Sequence, residues 1–114
     1  MENCLFCKII SGEIAADIIY QDDFVLAFND ISAQAPQHFL VIPKKHIATL
    51  NDTNGEDAEL LGKLNLTASK LAQQFDFARA GYRLVMNCNE QGGQSVYHIH
   101  LHCLGGRQLN WPPG

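Results

Sequence analysis

The sequence predicts one α+β domain spanning residues 1–114, with a short helix, a long helix and five strands. Three observations point there. Apolar residues recur at intervals of three and four near the N-terminus and again between positions 57 and 75. Five other short runs are rich in apolar and β-branched residues. A chain of 114 residues can bury one ordinary core but not two.

The first helix covers Cys4-Leu5-Phe6-Cys7-Lys8-Ile9-Ile10, with Asn3 available as N-cap and Gly12 as the stop. Asp17 to Gln21 and Phe24 to Asn29 flank Asp22-Asp23 and read as a hairpin. Phe39 to Ile42 is a third strand, closed by Pro43, which has no N–H to continue a ladder. In the long helix, Asp57 to about Phe75, Leu60, Leu61, Leu64, Ala68, Leu71, Ala72 and Phe75 form one apolar stripe. Glu56, Asp57 and Glu59 suit the positive end of its dipole. Tyr82 to Asn87 is a fourth strand, the polar run Asn89 to Ser95 a turn, and His98 to Leu104 a fifth strand. The tail from Gly105 to Gly114 should lie along the surface, with Trp111 as its large anchor.

A chain that is 46% hydrophobic and 18% charged has ample material for a globular core and no apolar run of the roughly 20 residues a membrane span needs. The formal charge of -4 and the scatter of the eight Lys and Arg residues argue against a broad nucleic-acid footprint. They leave room for a small anion, because backbone amides and histidines can hold a phosphate without a basic surface. Met1-Glu2-Asn3-Cys4 has neither the basic nor the apolar region of a secretory signal, so the expected compartment is the cytoplasm. There a Cys4-x-x-Cys7 pair points to metal or redox chemistry rather than a disulfide, while Cys88 and Cys103, in apolar surroundings, read as core residues.

The chemistry lies in His98-Ile99-His100-Leu101-His102-Cys103-Leu104. Strand alternation puts His98, His100 and His102 on one face, about 6.5–7 Å apart, and Ile99, Leu101 and Cys103 on the other. Packing has no use for a row of imidazoles, each of which needs a hydrogen-bond partner or a ligand. Such a row serves either metal ligation or phosphoryl chemistry. Gly92-Gly93-Gln94-Ser95, a turn with few side chains to obstruct an anion, favours phosphorus.

His98-x-His100-x-His102-x-Leu104, with Gly93-Gln94-Ser95 before it and Gly105-Gly106-Arg107 after it, resembles the histidine triad family. The similarity extends through Phe6-x-Lys8-Ile9-Ile10, Asp30-Ile31-x-x-Gln34-Ala35-Pro36, His38 to Lys44, Gly81-Tyr82-Arg83 and Trp111-Pro112-Pro113-Gly114, and is strongest to the Hint branch of purine nucleoside phosphoramidases. The resemblance implies a homodimer of five-stranded antiparallel sheets. It also implies a nucleophile, His100, that attacks the α-phosphorus of an adenosine or guanosine 5'-phosphoramidate, expels the amine and is freed by water, releasing AMP or GMP. By the same resemblance His102 donates to a phosphate oxygen, Ser95 helps protonate the departing nitrogen, and His38 supports the histidine network. Asn87, the Gly93 amide and the turn around Gln94 hold the phosphate. Asp30 would bind the ribose, with Ile31 as a wall. Leu5, Phe6, Ile9 and Phe28 would line the purine slot, although Phe6 and Ile9 also suit an ordinary core. Trp111 reaches the partner's site.

Some histidine triad proteins complete a structural zinc site from the paired cysteines, the histidine after the Pro-Lys strand end and the first triad histidine, which are Cys4, Cys7, His46 and His98 here. No organic cofactor is implied. The rival expectations are a dinucleoside polyphosphate hydrolase of the Fhit type, against which the tail and Gln94-Ser95 argue, and a nucleotide-binding regulatory or scaffold protein. The transferase branch carries proline where Ile99 and Leu101 stand.

Overall fold

The computed structural model describes residues 3–114. Its order is α1 (Leu5–Ser11), β1 (Ile18–Gln21), β2 (Val25–Asn29), β3 (Gln37–Pro43), two single-turn 3-10 segments over 50–57, α2 (Ala58–Gln74), β4 (Tyr82–Val85), the one-turn α3 (Asn89–Gly92) and β5 (Leu101–Gly105). The strands form one antiparallel sheet in the order β1-β2-β3-β5-β4. The hairpin, the third and fourth strands and both helices thus stand where the sequence puts them, within a few residues.

The central strands show why the sheet is sandwiched. Alternation along β2 sends Val25 and Ala27 to one face and Leu26 and Phe28 to the other, and all four are buried. In β3, Phe39 and Val41 join the first set and Leu40 and Ile42 the second. Strands covered on both faces read as continuous apolar runs. The α2 stripe of Leu64, Ala68, Leu71 and Ala72 closes the first face, together with Phe77, Ile99, Leu101 and Cys103. The second face is only partly covered: Phe6 and Ile9 of α1 pack on Leu26, Phe28, Leu40 and Ile42. The histidines lie toward this second face, with His38, His98 and His100 buried and His102 half-buried.

Three local details differ from expectation. Cys4, not Asn3, caps α1: its Sγ accepts the Cys7 N–H at 3.3 Å, while Gly12 ends the helix in the left-handed region at φ 85°. The turn after β4 winds into α3 before Gly93 reverses it at φ 82°. The last strand is shorter than predicted, because β3 pairs with β5 only as far as Val41 opposite Leu101. Pro43 offers no N–H for a longer ladder, and Ile99 N–H instead reaches Ile47 O at 2.8 Å. His98 and His100 therefore precede the ladder, though the alternation survives, since Ile99, Leu101 and Cys103 all lie in the core beneath α2. Cys103 is fully buried, with its thiol pushed up to about 12 by that burial, whereas Cys88 is only half-buried.

Candidate functional site

Each triad histidine has its own hydrogen-bond partner, and the hydrogen bonds assign their protons. The His100 Nδ1–H donates to the His98 carbonyl at 2.8 Å, which leaves Nε2 with a free lone pair. Gln34 N–H donates to His38 Nδ1 at 3.0 Å, so the remaining proton of neutral His38 sits on Nε2. That proton bonds His102 Nδ1 at 2.9 Å, with Asp30 Oδ2 further off at 3.4 Å. His102 Nδ1 is thereby an acceptor, and its own proton is on Nε2. One backbone carbonyl thus leaves His100 Nε2 with a free lone pair, and one backbone amide, relayed through His38, leaves His102 Nε2 with an N–H to donate.

Burial reinforces this assignment. It lowers the proton affinity of His38, His98 and His100 below the ordinary imidazole value, and in His102 burial, with His100 and His38 alongside, lowers it to about 4. The row is neutral at pH 7. Phe6 contributes to the same end, its ring lying edge-on to His100 at 5.1 Å and to His98 at 5.9 Å between centroids.

Asp30 and Ile31 stand at the His102 end of the row. The Asp30 Oδ1 is occupied by Ser32 N–H at 2.8 Å, and Ile31 is fully exposed. Phe6, Ile9 and Phe28 form one buried cluster, with Phe6 and Phe28 edge-to-face at 5.5 Å, whereas Leu5 is exposed. Asn87 is half-buried, two residues beyond the end of β4. In the turn before the row, the Gly93 N–H closes α3 onto Glu90 O at 3.0 Å, and Gln94 N–H bonds Asn89 O at 3.1 Å. Closing a one-turn helix consumes these amides; among the described residues no hydrogen bond engages the Ser95 and Val96 N–H groups that follow. Gln94, nearly buried, is a brace. Its Oε1 accepts Asn89 N–H at 2.9 Å and its Nε2 donates to Ala48 O at 2.8 Å and Val96 O at 3.1 Å. Trp111 is 81% exposed over the Arg83 guanidinium of β4 and lies apart from the row in its own chain.

At the other end of the row, Cys4, Cys7, His46 and His98 turn one donor atom each toward a common centre, all within 4.8 Å of one another. Sγ of Cys4 lies 3.4 Å from Nδ1 of His98, Sγ of Cys7 3.4 Å from Nδ1 of His46 and 3.6 Å from that of His98, and the two Nδ1 atoms are 3.2 Å apart. Zinc bonds of 2.3 Å to sulfur and 2.0–2.1 Å to nitrogen give tetrahedral edges of about 3.5 Å and 3.3 Å, so the set fits that ion. The tautomer fits too, since His98 Nε2–H donates to Pro43 O at 2.8 Å and frees Nδ1 to ligate. A second group, Asp30, His38 and His102, is equally close-packed but fails this test. The Gln34 N–H occupies His38 Nδ1, so Nε2 holds the proton where a metal would need the lone pair.

Two cavities flank these features. The larger, about 1100 Å³, lies between the β1-β2 hairpin and α2, is walled by Phe24, Lys44, Lys63 and Lys70 among others, and contains none of the residues above. The smaller, about 670 Å³, adjoins the row at Ser95, His46 and Cys4.

The family model described as HIT domain matches residues 11–109. A purine nucleoside phosphoramidase of Escherichia coli K12 is 55% identical over 108 residues, covering 95% of this chain and 91% of that protein. An uncharacterized HIT-like protein of Synechococcus elongatus is 53% identical over 113 residues, or 99% of this chain and 98% of its own. Among solved structures, a HIT family hydrolase from Legionella pneumophila Philadelphia 1 superposes with a TM-score of 0.97 at 61% identity, covering 98% of this chain and all of its own. A histidine triad protein from Clostridium difficile gives 0.93 at 41%, covering 96% of each chain.

Proposed function

From the premise that this chain belongs to the HIT domain family, we propose that it is a purine nucleoside phosphoramidase working through a nucleotidyl-histidine intermediate. The observation that carries the reading is the His98 carbonyl on His100 Nδ1, which leaves a neutral nucleophilic nitrogen in the middle of the row. Nε2 of His100 bonds to the α-phosphorus as the P–N bond breaks, and the departing nitrogen takes a proton relayed from solvent through the Ser95 hydroxyl. Water then forms the new P–O bond, the P–Nε2 bond breaks, and AMP or GMP leaves as the water's proton passes to solvent. His102 Nε2–H donates to a nonbridging oxygen in both transition states, and Asn87 with the Ser95 and Val96 amides holds the others.

Asp30 takes the ribose hydroxyls with Ile31 as outer wall, and Phe6, Ile9 and Phe28 form the floor of the purine slot, with Leu5 at its edge. The open edge of β4, the exposed Leu66 on α2 and the exposed Trp111 support a homodimer in which the tail reaches the partner's site. Cys4, Cys7, His46 and His98 hold one zinc ion. Bound there it supplies no reaction chemistry; with four protein ligands it ties α1 to the end of β3 and the approach to β5.

The test is turnover of adenosine 5'-phosphoramidate at neutral pH by the protein and by His100→Ala, with intact mass measured on quenched samples. Release of AMP and an adduct on His100, both lost in the variant, are expected. Binding of the nucleotide without release or adduct would overturn the reading.

A further inference from the structure

The order of protons in the His38-His102 pair hangs on one main-chain N–H, that of Gln34, 3.0 Å from His38 Nδ1. Gln34 is exposed, in the loop that joins β2 to β3. A main-chain donor in an exposed loop keeps one direction only if the loop is held. At its base the loop is closed by Asp30 N–H on His38 O at 3.0 Å and by the pairing of Asn29 with Phe39. Further out it bonds to itself: Asp30 Oδ1 accepts Ser32 N–H, and Gln34 Nε2 donates to Ser32 O at 2.8 Å. Arg107 reaches it from outside. Its Nε and Nη2 both donate to Gln34 O, at 3.2 and 2.9 Å, while Nη1 donates to Gln108 O at 3.1 Å, so all three guanidinium nitrogens are engaged.

The end of β5 is shaped for this contact. Gly105 pairs with Gln37, and Gly106 then turns the chain in the left-handed region at φ 88°. A Cβ on Gly106 would meet Pro36 Cβ at 2.9 Å, so the turn lies directly on the loop and delivers the next side chain, Arg107, to Gln34. Two N–H groups of a planar guanidinium on one carbonyl fix its orientation as well as its distance, which an ammonium on a flexible stem does not.

We infer that Arg107 is a positioning residue for the reaction: by clamping the Gln34 carbonyl it keeps the Gln34 N–H on His38 Nδ1, and so keeps the donor proton of His102 on Nε2. The contacts run without a gap from Arg107 to Gln34, His38 and His102. With the clamp gone, the two imidazoles regain the alternative order, in which His38 carries its proton on Nδ1 and His102 Nδ1–H donates to His38 Nε2. The number of protons is unchanged and only their places differ. Molecules in that order present a lone pair, not an N–H, to the phosphate oxygen where charge develops. The kinetic consequence rests on the phosphoramidase reading; the proton order does not.

The experiment records ring 15N spectra of the histidines in the wild-type protein, Arg107→Ala and Arg107→Lys, together with kcat and KM on adenosine 5'-phosphoramidate. Wild-type His102 is expected to show a protonated Nε2 and an unprotonated Nδ1. In Arg107→Ala the two ring signals of His102 should move toward each other as both orders become populated, and those of His38 with them. There kcat should fall about tenfold, the lower end of what losing an outer hydrogen-bond partner of a site imidazole costs, with KM little altered. Arg107→Lys keeps the charge but not the fork and should recover only part of both effects. Wild-type proton positions in folded Arg107→Ala overturn the inference whatever its activity, as does a loss confined to KM. Full recovery in Arg107→Lys overturns it too, because charge alone would then suffice. If Arg107→Ala does not fold, Arg107→Lys carries the same spectral test, with wild-type positions again overturning the inference. If the wild-type protein turns over no phosphoramidate, that reading falls, and the spectra still decide the role of Arg107.

Discussion

His38 Nε2 stands 2.9 Å from His102 Nδ1, and the direction of the proton between them is set four residues upstream of His38, by the Gln34 amide. Two imidazoles in contact could share a proton either way. The main-chain donor on Nδ1 of His38 removes the choice and leaves His102 with its N–H on the far nitrogen.

Replacing His38 by alanine should therefore act through His102 and not through binding. We expect kcat to fall about 10- to 100-fold, less than the 10²–10³ of deleting a transition-state donor outright, with KM little altered. His38→Gln, whose amide can still donate to His102, should recover part of the loss. Steady-state kinetics on the three proteins check this, and a change confined to KM would contradict it.

Acid should destabilise the protein before it protonates the row. His102 binds its proton at about 4 in the folded chain because of burial, against about 6.5 when unfolded. Between those values the unfolded state holds more protons, so stability rises with pH through that window, is complete above it and stops declining below it. His38, His98 and His100 are shifted the same way by burial. With solvent screening at the half-buried His102, its share is on the order of 1 kcal/mol, or about 4–8 °C in Tm. Calorimetry from pH 7 to 5 should show the decline, and His102→Asn should flatten it.

Zinc content should be one per chain and should depend on the paired thiols. Burial and the neighbouring Cys4 thiol raise the proton affinity of metal-free Cys7, so metal loading should release protons and weaken as the pH drops. At free zinc about 1,000-fold above Kd the ion stabilises the fold by about 4 kcal/mol. Cys4→Ser with Cys7→Ser, or a chelator, should remove both the metal signal and that increment. Metal analysis and thermal unfolding read the two independently.

Gly105→Ala tests the packing beneath the sheet. A Cβ at Gly105 would meet Cδ1 of Phe77 at 2.5 Å and Cε1 at 2.8 Å. The Phe77 ring is buried between Phe39 and Tyr82, at 6.3 and 6.1 Å between centroids, and has nowhere to swing. We expect a loss of about 1–3 kcal/mol, measured by denaturant unfolding, with activity per folded molecule retained.

Truncating Gln94 to alanine should loosen the turn over 89–96. It deprives the Asn89 N–H and the Ala48 and Val96 carbonyls of their partners, at about 1–3 kcal/mol for each group left buried and unpaired. Hydrogen exchange at 89–96 should rise more than in β3.

The strands and the face shared by the three histidines were legible because alternation and apolar periodicity are local properties. So was the partnership of Ile99, Leu101 and Cys103 with the core. What escaped was settled by groups that carry no side-chain signature. The proton on His102 depends on the main chain of Gln34, the free Nδ1 of His98 on the Pro43 carbonyl, and the early end of the ladder on Pro43 lacking an N–H. Gln94 reads in sequence as part of a phosphate turn, and only the position of Ala48, 46 residues away, reveals it as a brace. The Gly93 amide reads in sequence as an anion donor because glycine turns commonly serve anions, while the one helical turn that engages it with Glu90 O has no signature in the residue types.

His98 serves two neighbours with two different parts. Its ring faces the thiols and its carbonyl holds His100. Substitution can erase the first function and leave the second in place, since every amino acid has a carbonyl. A lineage can therefore dismantle the Cys-His cluster by altering positions 4, 7, 46 and 98 while His100 keeps the same proton on the same nitrogen. No change of residue type at position 98 reverses that asymmetry.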